Sequence, residues 1–340
     1  MIRLKLLFTA ILLTNTDVWA ASLSVPSQAW YAYNEGGPFL AGKKRGQPGT
    51  RRADIHLLEA WAILDNADHV PIAIIDNDFA VDSPFLRPVL NLNKGIDRSG
   101  QTWNFRKTDV DTYGHGTMVA ALIGAKPSSP NAYSGILRNV NLIPIVLAEG
   151  NAMPLNQAFQ DSMDAGAKII NVSMSFGAVS SSDPKVESLR RVFTMLQALD
   201  ILVVVSADDG GELMENNLQY PAQFSIEFDN VITVGASDRS DEKAPFSAYS
   251  PKSLDIFAPG DEILSLSPNG SLFMSSGCSE AAPLVTGVAA LVRELNPSLT
   301  ADKVKQVLMD SADKIPELKT YSQSGGRLNA ARALKMARSF

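Results

Sequence analysis

The run Gly277-Cys278-Ser279-Glu280-Ala281-Ala282-Pro283 leads straight into Leu284, Val285, Val288, Ala289, Leu291 and Val292. Apolar side chains at three- and four-residue spacing mark the buried face of a helix. The small residues ahead of it predict a turn that presents Ser279 at the helix start. Unpaired N–H groups and the macrodipole stabilise developing negative charge there. The position suits a nucleophile, and it equally suits a serine that caps the helix.

Strand-like and helix-like runs alternate upstream of this turn. Val70 to Ile75 (VPIAII) is β-branched and ends at Asp76; Val140 to Leu147, Lys168 to Ser173 and Ile201 to Val205 read the same way. Between them lie helical patterns at Met118 to Ile123, Leu155 to Met163 and Val186 to Leu199. Such alternation predicts an α/β fold, a doubly wound, mostly parallel sheet flanked by helices with right-handed crossovers. Continuous apolar strands suit a sheet covered on both faces. Asn230 to Val234 and Ser253 to Phe257 add two more strand-like runs. Helices are expected from about Thr300, as N-cap, and from near Asn329. No repeat, low-complexity stretch or linker divides residues 54–340, which read as one domain.

The 340 residues, 45% hydrophobic and 19% charged, have the composition of a globular chain. A net charge of −6, with no basic run interleaved with aromatics, argues against a nucleic-acid partner. Arg3 and Lys5, the apolar run Leu6 to Leu13 and Val18-Trp19-Ala20 read as a signal peptide over residues 1–20, cleaved before Ala21. That apolar run is too short to span a bilayer. The expectation is a secreted or periplasmic protein with no membrane attachment after cleavage. The single cysteine, Cys278, allows no intramolecular disulfide, so the core alone must hold the fold. Residues 21–53 carry Gly, Pro and basic clusters without periodicity and read as an irregular N-terminal extension. Lys43-Lys44-Arg45 and Arg51-Arg52 fit either processing sites or a solvated surface.

Three residues are candidates for one site: Asp76 at a strand end, His115 between Gly114 and Gly116 at a helix start, and Ser279. The chain has 3 histidines, His56, His69 and His115, and all precede Ser279. The α/β-hydrolase order places His after Ser and is excluded for Ser279, although Gly277 to Ala281 has the outline of that fold's nucleophile elbow. The order Asp, His, Ser is the subtilisin order.

On these residues the chain resembles the subtilisin-like serine protease family (subtilases, peptidase S8). His115-Gly116-Thr117-Met118-Val119-Ala120 resembles H-G-T-x-V-A, and Gly277 to Pro283 resembles G-T-S-M-A-A-P. Asp76 follows an aliphatic strand as the family's Asp does. Ile170-Asn171-Val172-Ser173, Val234-Gly235-Ala236, Phe246-Ser247-Ala248-Tyr249, Ala258-Pro259-Gly260 and Leu328-Asn329-Ala330 match in order. The resemblance implies a three-layer sandwich and a serine endopeptidase that works through an Asp76–His115–Ser279 triad and an acyl-enzyme. It implies a protein or peptide substrate that pairs as an added strand along Ser175, Phe176 and Gly177, with Ser173 an alternative register. No cofactor is required. Calcium is common in the family, but no ligand spacing here names a metal site. Residues 21–53 are too few and too irregular for the family's folding prodomain.

Several positions depart from the family pattern. The oxyanion hole implied by the resemblance comprises Ser279 and the residue aligned with the family's asparagine, which here is Asp209, preceded by Asp208. A hole needs donors, and an ionised carboxylate only accepts. A protonated Asp209 could donate, if Asp208 converges on it and raises its pKa; otherwise the two form a polar turn beside Gly210-Gly211. Asp76-Asn77-Asp78 replaces D-[ST]-G, and Met118 replaces a common His. Cys278 and Glu280 flank the serine. Cys278 reads as a small buried hydrophobe. Glu280 either perturbs His115 or occupies the first helical turn. These departures motivate a second expectation, a catalytically weak or inactive chain that retains the fold as a peptide-binding module.

Overall fold

A computed structural model describes residues 28–40, 44–98, 114–128, 132–147, 155–178 and 180–340; the expected signal peptide lies outside them. Leu57–Trp61 forms a short helix, α1, and Asn66–Asp76 the first strand, β1. VPIAII is the inner half of β1. The pairing register of β1 shifts between Ala67 and Pro71, where proline has no N–H to give the ladder. Ile96–Asp97 (β2) is followed by α2 (His115–Gly124), β3 (Asn139–Val146), α3 (Leu155–Asp164) and β4 (Ile169–Val172). Phe176–Gly177 (β5), α4 (Pro184–Ala198), β6 (Leu202–Ser206), β7 (Gln219–Tyr220) and β8 (Val231–Ser237) come next. β9 (Ile256–Pro259) precedes a hairpin, β10 (Ile263–Leu266) and β11 (Leu272–Ser275). The chain ends with α5 (Cys278–Leu295), α6 (Ala301–Asp310), β12 (Asp313–Lys314), β13 (Gly326–Arg327) and α7 (Ala330–Ala337).

Among the described residues the main sheet has the order β12-β13-β9-β8-β6-β4-β1-β3-β2. Every pair is parallel except β12 with β13. The doubly wound, mostly parallel architecture expected from the alternation is present, with helices flanking it. Strand order runs outward from β1 in both directions, so the C-terminal end of β1 is the switch point where such sheets open a crevice. Asp76 is its last residue. The short strands β2, β5, β7, β12 and β13 and the hairpin were not legible from periodicity, because two to four residues hold too little pattern.

The helix read from Leu284 to Val292 is α5, and it is buried through Arg293. A helix apolar on every side belongs inside. It packs against β1, β4, β6, β8 and β9, and against α2, α6 and α7. Helix ends follow local chemistry. Asp183 caps α4 ahead of Pro184, accepting the Lys185 N–H. Asn329 caps α7 through the Arg332 N–H at 2.8 Å. Thr300, expected to cap α6, makes no such bond; Asp200 Oδ1 accepts the Ala301 N–H instead, at 2.6 Å.

Residues 28–53 hold no named helix or strand where described, yet they are bound into the body. Trp30 is fully buried, and its indole N–H donates to the carbonyls of Asp261 and Glu262, each at 3.0 Å. The Arg239 guanidinium lies over the rings of Trp30 and Phe39 and pairs with Glu262 at 3.2 Å. Lys44 pairs with Asp238 and Glu242. Among the described residues no helix is long and apolar enough to cross a membrane. Trp30→Ala is expected to lose about 3–5 kcal/mol of stability, since it leaves a cavity under Arg239 and two orphaned carbonyls; urea denaturation of the full chain measures this.

Candidate active site

Asp76 is fully buried at the end of β1, and its Oδ1 accepts the Asn77 N–H at 2.8 Å. Both carboxylate oxygens accept from His115 Nδ1, at 2.8 and 2.9 Å. This contact fixes the ring orientation and directs one of its two nitrogens at the carboxylate. Two glycines allow this approach. Gly114 turns the chain into α2 with φ +57°, and a Cβ there would lie 2.2 Å from Pro268 Cγ. A Cβ on Gly116 would lie 2.1 Å from the Asp78 carbonyl and 2.8 Å from Asp76 Cβ, so no larger residue lets α2 seat against the Asp76 loop.

Burial works against charge on His115, but the hydrogen bond and charge of Asp76 outweigh it, with Glu280 and Asp78 adding to them; the imidazole pKa rises to about 9. Asp78 is pushed up to about 6 by burial and by the charge of Asp76. Its Oδ1 is buried with no hydrogen-bond partner among the described residues. The small residues usual after such an aspartate are replaced here by a third titrating group.

Ser279 is the second residue of α5, and Gly277, not the serine, is the N-cap. Pro283 lies inside the helix and has no N–H for the carbonyl four residues back, which is that of Ser279. Ser173 Oγ supplies the missing donor at 3.2 Å. In return Ser279 Oγ donates to the Ser173 carbonyl at 3.2 Å. Ser173 Oγ itself accepts from Asn171 Nδ2, and Asn171 Oδ1 accepts from Thr286 on α5 at 2.7 Å. The end of β4 and the start of α5 are thus stitched by buried polar groups, and the serine hydroxyl is turned toward β4 in this rotamer.

The stretch that follows Ser173 runs outward from the serine. Ser175 Oγ donates to Gln219 Oε1 at 3.2 Å, and β5 pairs antiparallel with β7, Phe176 opposite Tyr220 and Gly177 opposite Gln219. Among the described residues no strand covers the other edge of β5.

Asp208 and Asp209 do not converge as a pair. Asp208 Oδ2 accepts the Gly210 N–H at 3.1 Å and makes the polar turn. Asp209 is turned the other way, with Oδ1 accepting the Cys278 N–H at 2.8 Å. The residue reaches solvent, but its carboxyl is tucked onto the helix start. Burial raises its pKa, the Cys278 N–H lowers it, and the charge of Asp208 raises it. Glu280 is buried beside it, 1% exposed. A Cβ on Gly277 would meet Glu280 Oε2 at 2.6 Å and Asp209 Oδ2 at 3.0 Å, so a side chain here would clash with both carboxyls. Nothing local in the sequence marks this convergence, because the two residues lie far apart in the chain. The Cys278 thiol is fully buried, with its pKa raised well above the ordinary value by burial and by Asp209, so it is no nucleophile.

Among the described residues one group of carboxylate and imidazole ligands lies close enough to share a cation, Asp68, His69 and Glu294. It sits at the end of β1 away from Asp76, and His69 Nδ1 already pairs with Glu294 at 2.6 Å.

A family model described as the subtilase family matches residues 67–332. The chain is 32% identical over 276 residues to the cell wall-associated protease of Bacillus subtilis (strain 168), covering 78% of this chain and 28% of that one. It is 26% identical over 313 residues to thermitase of Thermoactinomyces vulgaris, covering 89% of this chain and 100% of that one. Among solved structures, the prenylagaramide maturation protease PagA aligns with a TM-score of 0.67 at 26% identity, covering 83% of this chain and 98% of that one. The chain spans less than a third of two curated relatives that it matches, 28% and 31% of their lengths.

His115 is raised above its unfolded value, so its pairing stabilises the fold fully below about pH 6.5 and fades as pH rises through about 9. NMR of the imidazole in Ser279→Ala is expected to titrate near 9, and Asp76→Asn is expected to lower that midpoint by about 2 units.

Proposed function

The chain belongs to the subtilase family, and on that premise we propose that it is an exported serine endopeptidase. Asp76, His115 and Ser279 carry the reaction in this reading. The observation that supports it most directly is His115 Nδ1 held on the buried Asp76 carboxylate, at 2.8 Å, at the sheet's switch point.

The steps follow from the groups present. Ser279 Oγ turns from the Ser173 carbonyl and gives its proton to His115 Nε2 as it attacks a peptide carbonyl. Asp76 fixes the tautomer of His115 and stabilises the imidazolium. His115 then protonates the leaving amine, and water resolves the acyl-enzyme by the same route in reverse. The substrate pairs as an added strand along Ser175 to Gly177, the open edge of β5. Ser173 positions the nucleophile rather than the substrate. The developing oxyanion is received by the Ser279 N–H and by Asp209. Residues 1–20 direct export, a role consistent with their positive start and short apolar run.

A second reading, a peptide-binding module with little or no turnover, is favoured by one feature. The Asp209 carboxyl accepts from Cys278 where a hole requires a donor.

Purified protein treated with a fluorophosphonate is expected to be labelled, and Ser279→Ala is expected to abolish labelling. No labelling between about pH 4 and pH 9, the range over which His115 passes from fully protonated to half neutral, would sink the peptidase reading. Asp209→Asn supplies a permanent donor and is expected to raise kcat about 10²–10³-fold. In that variant kcat/KM should climb with pH until His115 is neutral, levelling near pH 9. Peptide binding without turnover in Asp209→Asn would favour the second reading.

A further inference from the structure

The hairpin of β10 and β11 joins the two helices of the site, and the segment before α1 holds that hairpin. At its foot, Glu262 leads into β10, and Ser276 follows β11 just ahead of Ser279. The foot is closed by backbone and hydroxyl groups. The Glu262 N–H donates to Ser276 Oγ at 2.9 Å, Ser276 Oγ to Asp261 Oδ1 at 2.8 Å, and the Gly277 N–H to the Gly260 carbonyl at 2.9 Å. The tip lies beside the histidine, since a Cβ on Gly114 would stand 2.2 Å from Pro268 Cγ. Between foot and tip, Ser265 Oγ donates to the Met118 carbonyl of α2 at 3.1 Å. One element thus packs on the helix that starts at His115 and runs into the helix that carries Ser279.

Bonds from the segment before α1 end on this hairpin. The Trp30 indole N–H is shared between the Asp261 and Glu262 carbonyls. The Leu40 N–H points between the two carboxylate oxygens of Glu262, 2.9 Å from each. The Tyr31 hydroxyl is bonded to that of Tyr133, which donates to Ser265 Oγ at 3.4 Å. Trp30, Tyr31 and Tyr133 are all buried. Glu262 itself has φ +52°, a conformation that a residue with a side chain keeps only where its surroundings hold it. Trp30 on its carbonyl, and Leu40 and Arg239 on its carboxylate, help to do so.

We propose that Trp30 is a positioning residue for the reaction: with Tyr31 and Leu40 it straps the β10–β11 hairpin and so fixes Ser279 against His115. The proposal deepens the peptidase reading above and rests on it. Trp30 acts through the turn at Asp261 and Glu262, whose bonds to Ser276, beside the Gly260–Gly277 bond, set where α5 begins. Attack geometry is sensitive to displacements of about 1 Å, so loosening the foot is read in kcat rather than in KM.

The test uses the full chain. Trp30→Phe removes the indole N–H and keeps a ring under Arg239, and Tyr31→Phe removes only a hydroxyl. Phe159→Leu on α3, where the buried ring packs on Phe193, loosens the core elsewhere and serves as control. Parent and variants are compared at a temperature where each is fully folded. Trp30→Phe is expected to lower kcat and the rate of fluorophosphonate labelling about tenfold, Tyr31→Phe about threefold and Phe159→Leu less than about twofold, all with KM unchanged. Losses in Trp30→Phe no larger than those of the control would mean that the segment serves stability alone and would overturn the proposal. Amide hydrogen exchange gives a readout without turnover. Trp30→Phe is expected to speed exchange of the Glu262 and Gly277 N–H groups about tenfold and to leave that of Val288, inside α5, unchanged. Unchanged rates at Glu262 and Gly277, or a rise shared equally by Val288, refute the strap. If neither parent nor variants are labelled, the peptidase reading fails, while the exchange rates still decide the strap.

Discussion

Burial of α5 through Arg293 is the constraint from which the site follows. An apolar helix driven under the sheet has to begin where the strands end, and its first turn then lies at the switch point beside Asp76. Pro283 in the next turn frees the Ser279 carbonyl, and Ser173 just after β4 takes it up. Packing thus sets the depth of the serine, and one missing N–H sets its neighbour. The Asn171–Thr286 bond keeps the same two elements in register one layer deeper.

Against this frame the site is unusually acidic. Asp76, Asp78, Asp209 and Glu280 bear on one imidazole, and Asp76, Glu280 and Asp78 raise its pKa to about 9 against the effect of burial. The crowding at Gly277 also bears on the helix start. The N-terminal turn of α5 offers N–H groups and a positive dipole end to the two carboxyls, and the Cys278 N–H is committed to Asp209.

The described part of the segment before α1 illustrates where periodicity misleads. Residues 28–40 and 44–53 lack a repeating apolar pattern, and their basic residues suggest a solvated surface. Trp30 and Phe39 nevertheless enclose the Arg239 guanidinium, and Lys44 and Arg52 are engaged with carboxylates. Irregular backbone is stable there because its polar groups find partners on the body: Asn34 donates to Asp54 and to the Thr50 and Arg239 carbonyls.

Sequence by itself determined the sheet class, the long strands along the chain, Asp76 at a strand end, and His115 and Ser279 at helix starts. Each of those is written locally: β-branched runs, glycines around His115, and small residues before an apolar helix. It also marked Asp209 as the position where a donor is replaced. Tertiary structure alone decided that Asp208 turns away, that Asp209 Oδ1 takes the Cys278 N–H, and that Asp209 and Glu280 both come up against Gly277. It alone decided that Ser173 and Ser279 exchange hydrogen bonds. These contacts join residues far apart in the chain, and their geometry depends on how β4, β6 and α5 pack. A linear pattern records which side chains a segment buries, but not which charges from distant segments are brought to the same point.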